Sequence, residues 1–337
     1  VSQAIERIWA TDGVAAWALS PLSWMFGAAT GVRNLLYDVG LLRAHPLGLP
    51  AVSVGNLTVG GTGKTPVAAW VAAELAALGA RPAILLRGYG ADEPLVHRQL
   101  NPTALVIPDP DRVAAARVAQ EGGASVLVLD DAFQHRRAKR DVDIVLVAAE
   151  QRGAHRLLPA GPLREGRRAL RRATILVVTR KSASLADAEA AVAEWTGFAG
   201  APPTAIVALV PGALVPVDST SGAPAPLDTL LGRRVLAISA IGAPAAFEAQ
   251  LAGAGALVEP ARYPDHYAFG SGEVDRLIRR AAGVDRVVCT LKDAVKLGPR
   301  WPAQAPPLWY LSQAVVVERG ASVLRETLHR LVGSPQL

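Results

Sequence analysis

Ser53-Val54-Gly55-Asn56-Leu57-Thr58-Val59-Gly60-Gly61-Thr62-Gly63-Lys64-Thr65 decides the fold. A short apolar run passes into glycines and then into a lysine and a threonine that open a helical pattern, the order a phosphate-binding loop requires. Lacking Cβ atoms, Gly60, Gly61 and Gly63 let the backbone N–H groups around Thr62 approach phosphate oxygens. Lys64 can reach the β- and γ-phosphates of a bound nucleotide such as ATP, the Thr65 hydroxyl can ligate Mg²⁺, and the helix N-terminus adds its dipole. The usual pattern has glycine five positions before Gly63, where this chain has Thr58. An incidental glycine-rich turn is the bland alternative, and the order of the elements argues against it.

Outward from this loop the pattern alternates. Val67, Val71, Leu75 and Leu78 recur at helical spacing over 65–78, and Gly79 closes the helix. Ala83 to Leu86 reads as the next strand, and Ala104 to Ile107 as another, followed by a helix beginning near Asp109 to Asp111 with Arg112 in its first turn. Ser125-Val126-Leu127-Val128-Leu129-Asp130-Asp131 is a buried strand ending in two aspartates, the Walker B form in which a carboxylate reaches Mg²⁺ directly or through water. Asp143 to Val147 and Thr174 to Val178 are further strands. The expected class is α/β, a mostly parallel P-loop NTPase-type sheet.

Other residues are less decided by sequence. Asp92 and Glu93 stand in a loop soon after a strand, where open α/β sheets place functional groups, yet alone they describe an acidic turn. Arg112 could clamp a phosphate or lie on the surface. Gln134 to Arg140 and Arg167 to Arg172 form basic clusters, the second expected on a helix, and suit an anionic substrate. Neither aromatic interleaving nor a nucleic-acid fold motif accompanies them, so no nucleic-acid partner is expected.

Pro202-Pro203, Val210-Pro211-Gly212 and the run from Thr220 to Pro226 mark a boundary. Beyond it, a second, smaller α/β domain is expected, with strands over 235–239, 256–258 and 286–290 and a helix over 245–251. His266 lies there in Tyr263-Pro264-Asp265-His266-Tyr267, where a lone histidine is more often structural than catalytic. The expected division is an N-terminal helical segment over 1–45, a P-loop domain over 46–203, and a second domain with its hinge linker over 204–337.

With 337 residues, 51% hydrophobic and 19% charged, the chain is too apolar to be disordered and long enough for two cores. Its net charge of +6 and pI of 9.8 suit anionic partners. A single cysteine, Cys289, excludes an intramolecular disulfide framework and a cysteine-rich zinc site. After a short amphipathic start (Ile5, Ile8, Trp9), the 20 residues from Gly13 to Val32 carry no charge, with Ser20-Pro21 resembling a helix cap and first-turn proline. A helix so apolar is either buried or touches lipid.

In this order the motifs resemble the tetraacyldisaccharide 4′-kinase family, the membrane-associated lipid A kinases. The resemblance rests on the apolar N-terminal helix, the loop from Ser53 to Pro66, Arg87-Gly88-Tyr89-Gly90, Asp92-Glu93-Pro94, Asp130-Asp131 with Phe133-Gln134-His135-Arg136, Leu158-Pro159-Ala160-Gly161-Pro162-Leu163-Arg164-Glu165, Pro264-Asp265-His266-Tyr267 and Lys292-Asp293. It implies Mg²⁺-dependent transfer of the ATP γ-phosphoryl to the 4′-hydroxyl of a tetraacylated glucosamine disaccharide 1-phosphate. Lys64 and Thr65 would hold phosphates and metal, Asp130 and Asp131 would organise Mg²⁺, and Asp92 and His266 would form the acid/base pair, one from each domain, meeting on closure. Arg112, Gln134 and Arg164 are candidate contacts to phosphate or substrate. The resemblance also implies the cytoplasmic face of the bacterial inner membrane, an acylated disaccharide lipid as substrate, and no obligate protein partner. Two positions depart from the family pattern: Ala91 stands for glycine after a shortened loop, and Ala132 stands for glycine after the aspartates. A partner-triggered NTPase and a membrane-docked scaffold with a degenerate P-loop are the alternative readings, and no Asn-Lys-x-Asp guanine motif supports a GTPase.

Overall fold

The computed structural model describes residues 9, 14–88, 92–151, 153, 156–218, 222–242 and 244–333. Ile5, Ile8, Tyr89-Gly90-Ala91 and Thr220 lie outside the described residues. The chain divides into two compact units, Val1–Gly88 with Asn101–Leu209 and Val315–Leu337, and Tyr89–Leu100 with Val210–Ala314. This differs from the division expected at 203/204. The segment carrying Asp92 groups with the second unit, and the C-terminal helix groups with the first.

In the first unit the strands are β1 (Ala51–Asn56), β2 (Pro82–Leu86), β3 (Leu105–Pro108), β4 (Val126–Asp130), β5 (Val142–Ala148), β6 (Ile175–Arg180) and β7 (Thr204–Pro216), the last passing into the second unit at Val210. Their order is β3-β2-β4-β1-β5-β6-β7, and the registered pairs are parallel, with Val54 opposite Asp130 and Ile144. β1, β2 and β4 are buried at every position, which is why they read as unbroken apolar runs and not as alternation. One face packs on the helix Lys64–Ala77 through Val67, Val71 and Leu75, joined by Leu324, Leu328 and Leu331 of the helix Ala321–Gly333. Each such side chain contributes about 1.5–3 kcal/mol by leaving water.

The N-terminal apolar stretch forms helices Val14–Ala18 and Ser20–Asp38. Ser20 is not the cap its sequence suggests. Leu19 holds right-handed helical angles, so the chain barely breaks between the two helices, and Ser20 Oγ donates back to Ala16 O at 3.2 Å. Among the described residues no helix is long and apolar enough to cross a membrane. Trp17, Leu22, Trp24, Met25, Val32 and Leu35 are all exposed, Trp24 at 72%. The opposite side is fastened: Ser23 Oγ donates to Leu157 O and accepts from Ala160 N, both at 2.9 Å. The segment Arg167–Arg172, expected on a helix, forms one of the 3₁₀ type.

In the second unit β8 (Arg234–Ser239), β9 (Leu257–Arg262), β10 (Arg286–Thr290) and β11 (Leu308–Arg319, passing into the first unit at Val315) are ordered β11-β10-β8-β9, again in parallel. Asp92-Glu93-Pro94 is the first turn of a helix, Asp92–Leu100, and not a loop. The two acids complement the positive helix end, and proline is tolerated there because first-turn N–H groups have no intrahelical acceptor. This helix packs against Leu291–Leu297.

Candidate functional site

The P-loop residues lie at the C-terminal end of β1, and the geometry explains its departure from the usual pattern. Thr58 is buried; its Oγ1 donates to Gln151 Oε1 at 2.7 Å, and it forms an antiparallel bridge with Leu163. Thr58 thus ties the loop to two later segments, and the hydroxyl bond to Gln151 is one that glycine could not make. Gly60 and Gly63 have φ of 124° and 80°, and a Cβ on Gly63 would stand 2.3 Å from Leu209 Cδ1. Gly63 is also the residue before the helix Lys64–Ala77. Thr62 is buried, its hydroxyl bonded to Asn56 Nδ2 at 2.9 Å and its carbonyl accepting from Thr179 Oγ1 at 2.9 Å. Lys181 Nζ donates to Gly61 O at 2.8 Å. Glu150 accepts from the backbone N–H groups of Lys181, Ser182 and Ala183, which hold its carboxyl below the usual range against the opposing effect of burial. Gln151, Thr179, Lys181 and Leu209 belong to no motif in the sequence.

β4 delivers the two aspartates differently. Asp130 ends the strand and is buried. Asp131 follows at φ 52°, with its N–H on Val54 O at 2.9 Å and its side chain turned to Arg164 Nη1 at 2.8 Å and Lys64 Nζ at 3.9 Å. The structure therefore brings Lys64, Asp131 and Arg164 together. Ala132 is fully buried, so its Cβ is accommodated. Arg112 is buried at 2% exposure, donating to Asp109 O at 2.6 Å and Asp130 O at 3.3 Å; burial pushes its guanidinium below the ordinary value. It buttresses the end of β4. Gln134 Nε2 donates to Asn56 O at 2.8 Å and so braces β1.

Among the described residues no group of three or more His, Cys, Asp or Glu is placed to hold a metal ion. Mg²⁺ characteristically takes one or two carboxylates and completes its shell with phosphates and water. The hard oxygens of Thr65, Asp130 and Asp131 beside a phosphate loop fit that requirement.

In the second unit, Asp92 and His266 meet. His266 Nδ1 lies 3.0 Å from Asp92 Oδ2, and Asp92 is 4% exposed whereas the imidazole is half-exposed. Asp92 Oδ1 is buried and without a hydrogen bond among the described residues. The expectation that the two come from different domains is corrected: the helix bearing Asp92 is packed into the same unit as His266. His266 has φ 58°, an αL conformation uncommon for a residue with a side chain and costing about 1–2 kcal/mol. That turn is held by His266 N on Ala240 O at 3.2 Å, Tyr267 N on Pro264 O at 3.1 Å and the packed rings of Tyr263, Tyr267 and Phe269. Ala240 N in turn donates to the buried Asp293 Oδ2 at 3.0 Å, which Thr290 Oγ1 also engages at 2.7 Å. The Lys292-Asp293 motif thus supports the histidine turn through Asp293. Beside the dyad an open cavity of about 610 Å³ is lined by Glu93, Leu95, Tyr267, Phe269, Val295 and Lys296.

The family model described as tetraacyldisaccharide-1-P 4′-kinase matches residues 15–94 and 90–332. The chain belongs to the tetraacyldisaccharide 4′-kinase family. A tetraacyldisaccharide 4′-kinase of Anaeromyxobacter dehalogenans is 42% identical over 90% of this chain and 87% of its own length. That of Geobacter metallireducens is 38% identical over 83% and 88%. The crystal structure of the "apo" form of LpxK from Aquifex aeolicus in complex with ATP superposes with a TM-score of 0.75 at 29% identity, covering 94% of this chain and 99% of that one. Both the α/β fold and the kinase class expected from sequence are thereby established, and a partner-triggered switch is not favoured.

Proposed function

We propose that this tetraacyldisaccharide 4′-kinase divides its chemistry between donor residues of the first unit and an acceptor dyad of the second. ATP is the donor. Lys64 and the N–H groups of 60–65 take its phosphates, and Thr65 with Asp130 and Asp131 holds Mg²⁺, which supplies charge neutralisation on the transferring phosphoryl group. Asp131 is already engaged by Lys64 and Arg164, which aligns the carboxylate with the cations that face a polyphosphate.

At the acceptor, the Asp92 carboxylate accepts from His266 Nδ1–H, which fixes the imidazole tautomer. The pair takes up the proton of the 4′-hydroxyl as a unit as the new P–O bond forms and the bond to ADP breaks. The observation that carries the assignment is this 3.0 Å contact between a buried carboxylate and an accessible imidazole in a backbone conformation that needs support. A nucleotide switch or a scaffold has no use for it. The test is incubation with labelled ATP, Mg²⁺ and tetraacyldisaccharide 1-phosphate, with a bisphosphorylated lipid as the expected product. No transfer by the wild-type chain would overturn the assignment.

The same proposal places the protein on the cytoplasmic face of the bacterial inner membrane, where ATP and an acylated substrate are both at hand. The apolar side of Ser20–Asp38, with Trp24 and Met25 at 72% and 69% exposure, supports contact with the lipid boundary. Flotation with anionic-lipid vesicles tests it: Trp24→Glu with Met25→Glu should leave the protein in the unbound fraction, and unchanged flotation would refute membrane contact through this helix.

A further inference from the structure

Glu165 is the most heavily engaged buried carboxylate of the first unit outside the residues assigned above. It is 1% exposed. Its Oε1 accepts from Arg33 at 2.9 Å, and its Oε2 accepts from Asn34 at 2.9 Å and from Arg172 at 2.7 Å. Arg33 and Asn34 belong to the helix Ser20–Asp38, whose other side is exposed and apolar. The residue immediately before it, Arg164, points the other way: its Nη1 is 2.8 Å from Asp131 Oδ1, and its N–H donates to Leu57 O at 2.7 Å. The same short segment carries Leu163, bridged to Thr58, and Leu157, whose carbonyl takes Ser23. Consecutive residues therefore connect the apolar helix to the aspartate beside Lys64 through charge-assisted hydrogen bonds, and the residues just before them are tied to Thr58 and Ser23.

We infer that Glu165 is a positioning residue: by clamping Arg33 and Asn34 it makes the seating of the N-terminal helix set the placement of Arg164 on Asp131. The inference rests on the kinase reading above, and it goes further by linking donor-site geometry to the helix proposed to meet the lipid. A buried carboxylate held by partly exposed arginines keeps one arrangement because leaving the carboxylate unpaired is costly. A helix displaced on its Glu165 side would release the carboxylate, and with it the backbone that aims Arg164.

The test uses the full chain and approaches Glu165 from the helix, because Glu165→Ala itself leaves Arg33 and Arg172 facing an empty buried site. Arg33→Ala with Asn34→Ala should speed hydrogen–deuterium exchange of the 20–38 amides. It should also weaken binding of a fluorescent ATP analogue with Mg²⁺ and lower kcat, each by about 5–20-fold, while the KM for the lipid in detergent micelles changes less than about twofold. Glu165→Gln should give a smaller loss in the same direction. In an Arg164→Ala background the helix substitutions should cost less than about twofold, because their effect already passes through Arg164. The inference is overturned if the helix substitutions cost the same factor with and without Arg164, or if the helix loosens while nucleotide binding and kcat stay at wild-type values. Failure of the wild-type chain to phosphorylate the disaccharide would refute the kinase reading alone, since the exchange and nucleotide-binding arms read the coupling without turnover.

Discussion

His266 Nδ1 stands 3.0 Å from Asp92 Oδ2 although 174 residues separate the two in sequence, and both lie in one compact unit. Their contact is part of how that unit folds. Asp92→Asn and His266→Ala should each lower kcat by about 10²–10⁴-fold, the range of a lost acid/base contribution, with the KM for ATP within about twofold of wild type. Steady-state kinetics with both substrates varied checks this, and wild-type turnover in both variants would remove the dyad from the mechanism.

Gly63→Ala should damage the phosphate loop. The left-handed backbone alone costs about 1–2 kcal/mol for an L-residue, and the new Cβ would sit 2.3 Å from Leu209 Cδ1. ATP affinity should fall by at least about tenfold. Adding Leu209→Ala removes the clash but not the φ of 80°, so nucleotide titration of the double variant should show partial recovery only.

Thr58→Gly would restore the usual P-loop residue, and it should nevertheless destabilise the protein by about 1–2 kcal/mol through loss of the Gln151 bond and a more flexible unfolded chain. Thr58→Ser keeps the hydroxyl and should cost less. Urea unfolding followed by far-UV circular dichroism distinguishes the two variants.

His135 gives stability a pH dependence of defined sign. Burial first, and then the charges of Arg112 and Arg140, push its imidazole below the ordinary 6.5. As pH falls through 6.5 the unfolded chain takes up a proton before the folded one does, so this residue's contribution to stability decreases until the folded imidazole also titrates. Thermal midpoints from about pH 8 to about pH 5 should therefore drop less steeply for His135→Gln than for wild type. Parallel profiles would refute the assignment.

Gly60 to Thr65 and the strand ending at Asp130 were legible in the sequence because their chemistry is local: a backbone that must approach phosphate needs glycines, and a fully buried parallel strand needs an uninterrupted apolar run. Gln151, Thr179 and Lys181 were not, since each acts through a partner about 90–120 residues away and carries no pattern of its own. Asp92 and His266 take their roles from resemblance, and their shared unit is not legible in the sequence because linear order places Asp92 within the P-loop half. Arg112 looked like a surface arginine or a phosphate clamp, and only its two main-chain acceptors mark it as a buried prop for β4.

The interleaved composition of the two units governs how the protein can be made. Leaving the ribosome, the chain changes unit at 88/89, 100/101, 209/210 and 314/315. The layer on Val67 and Val71 is therefore completed only when Leu324, Leu328 and Leu331 have followed, and the helix that starts at Asp92 emerges long before the helix Leu291–Leu297 against which it packs. The second unit is complete in sequence at Ala314, and the first only after Val315–Leu337 has followed. Cutting the gene at the apparent domain boundary should yield two aggregation-prone fragments, whereas co-expression of both halves offers a route back to a native, nucleotide-binding complex.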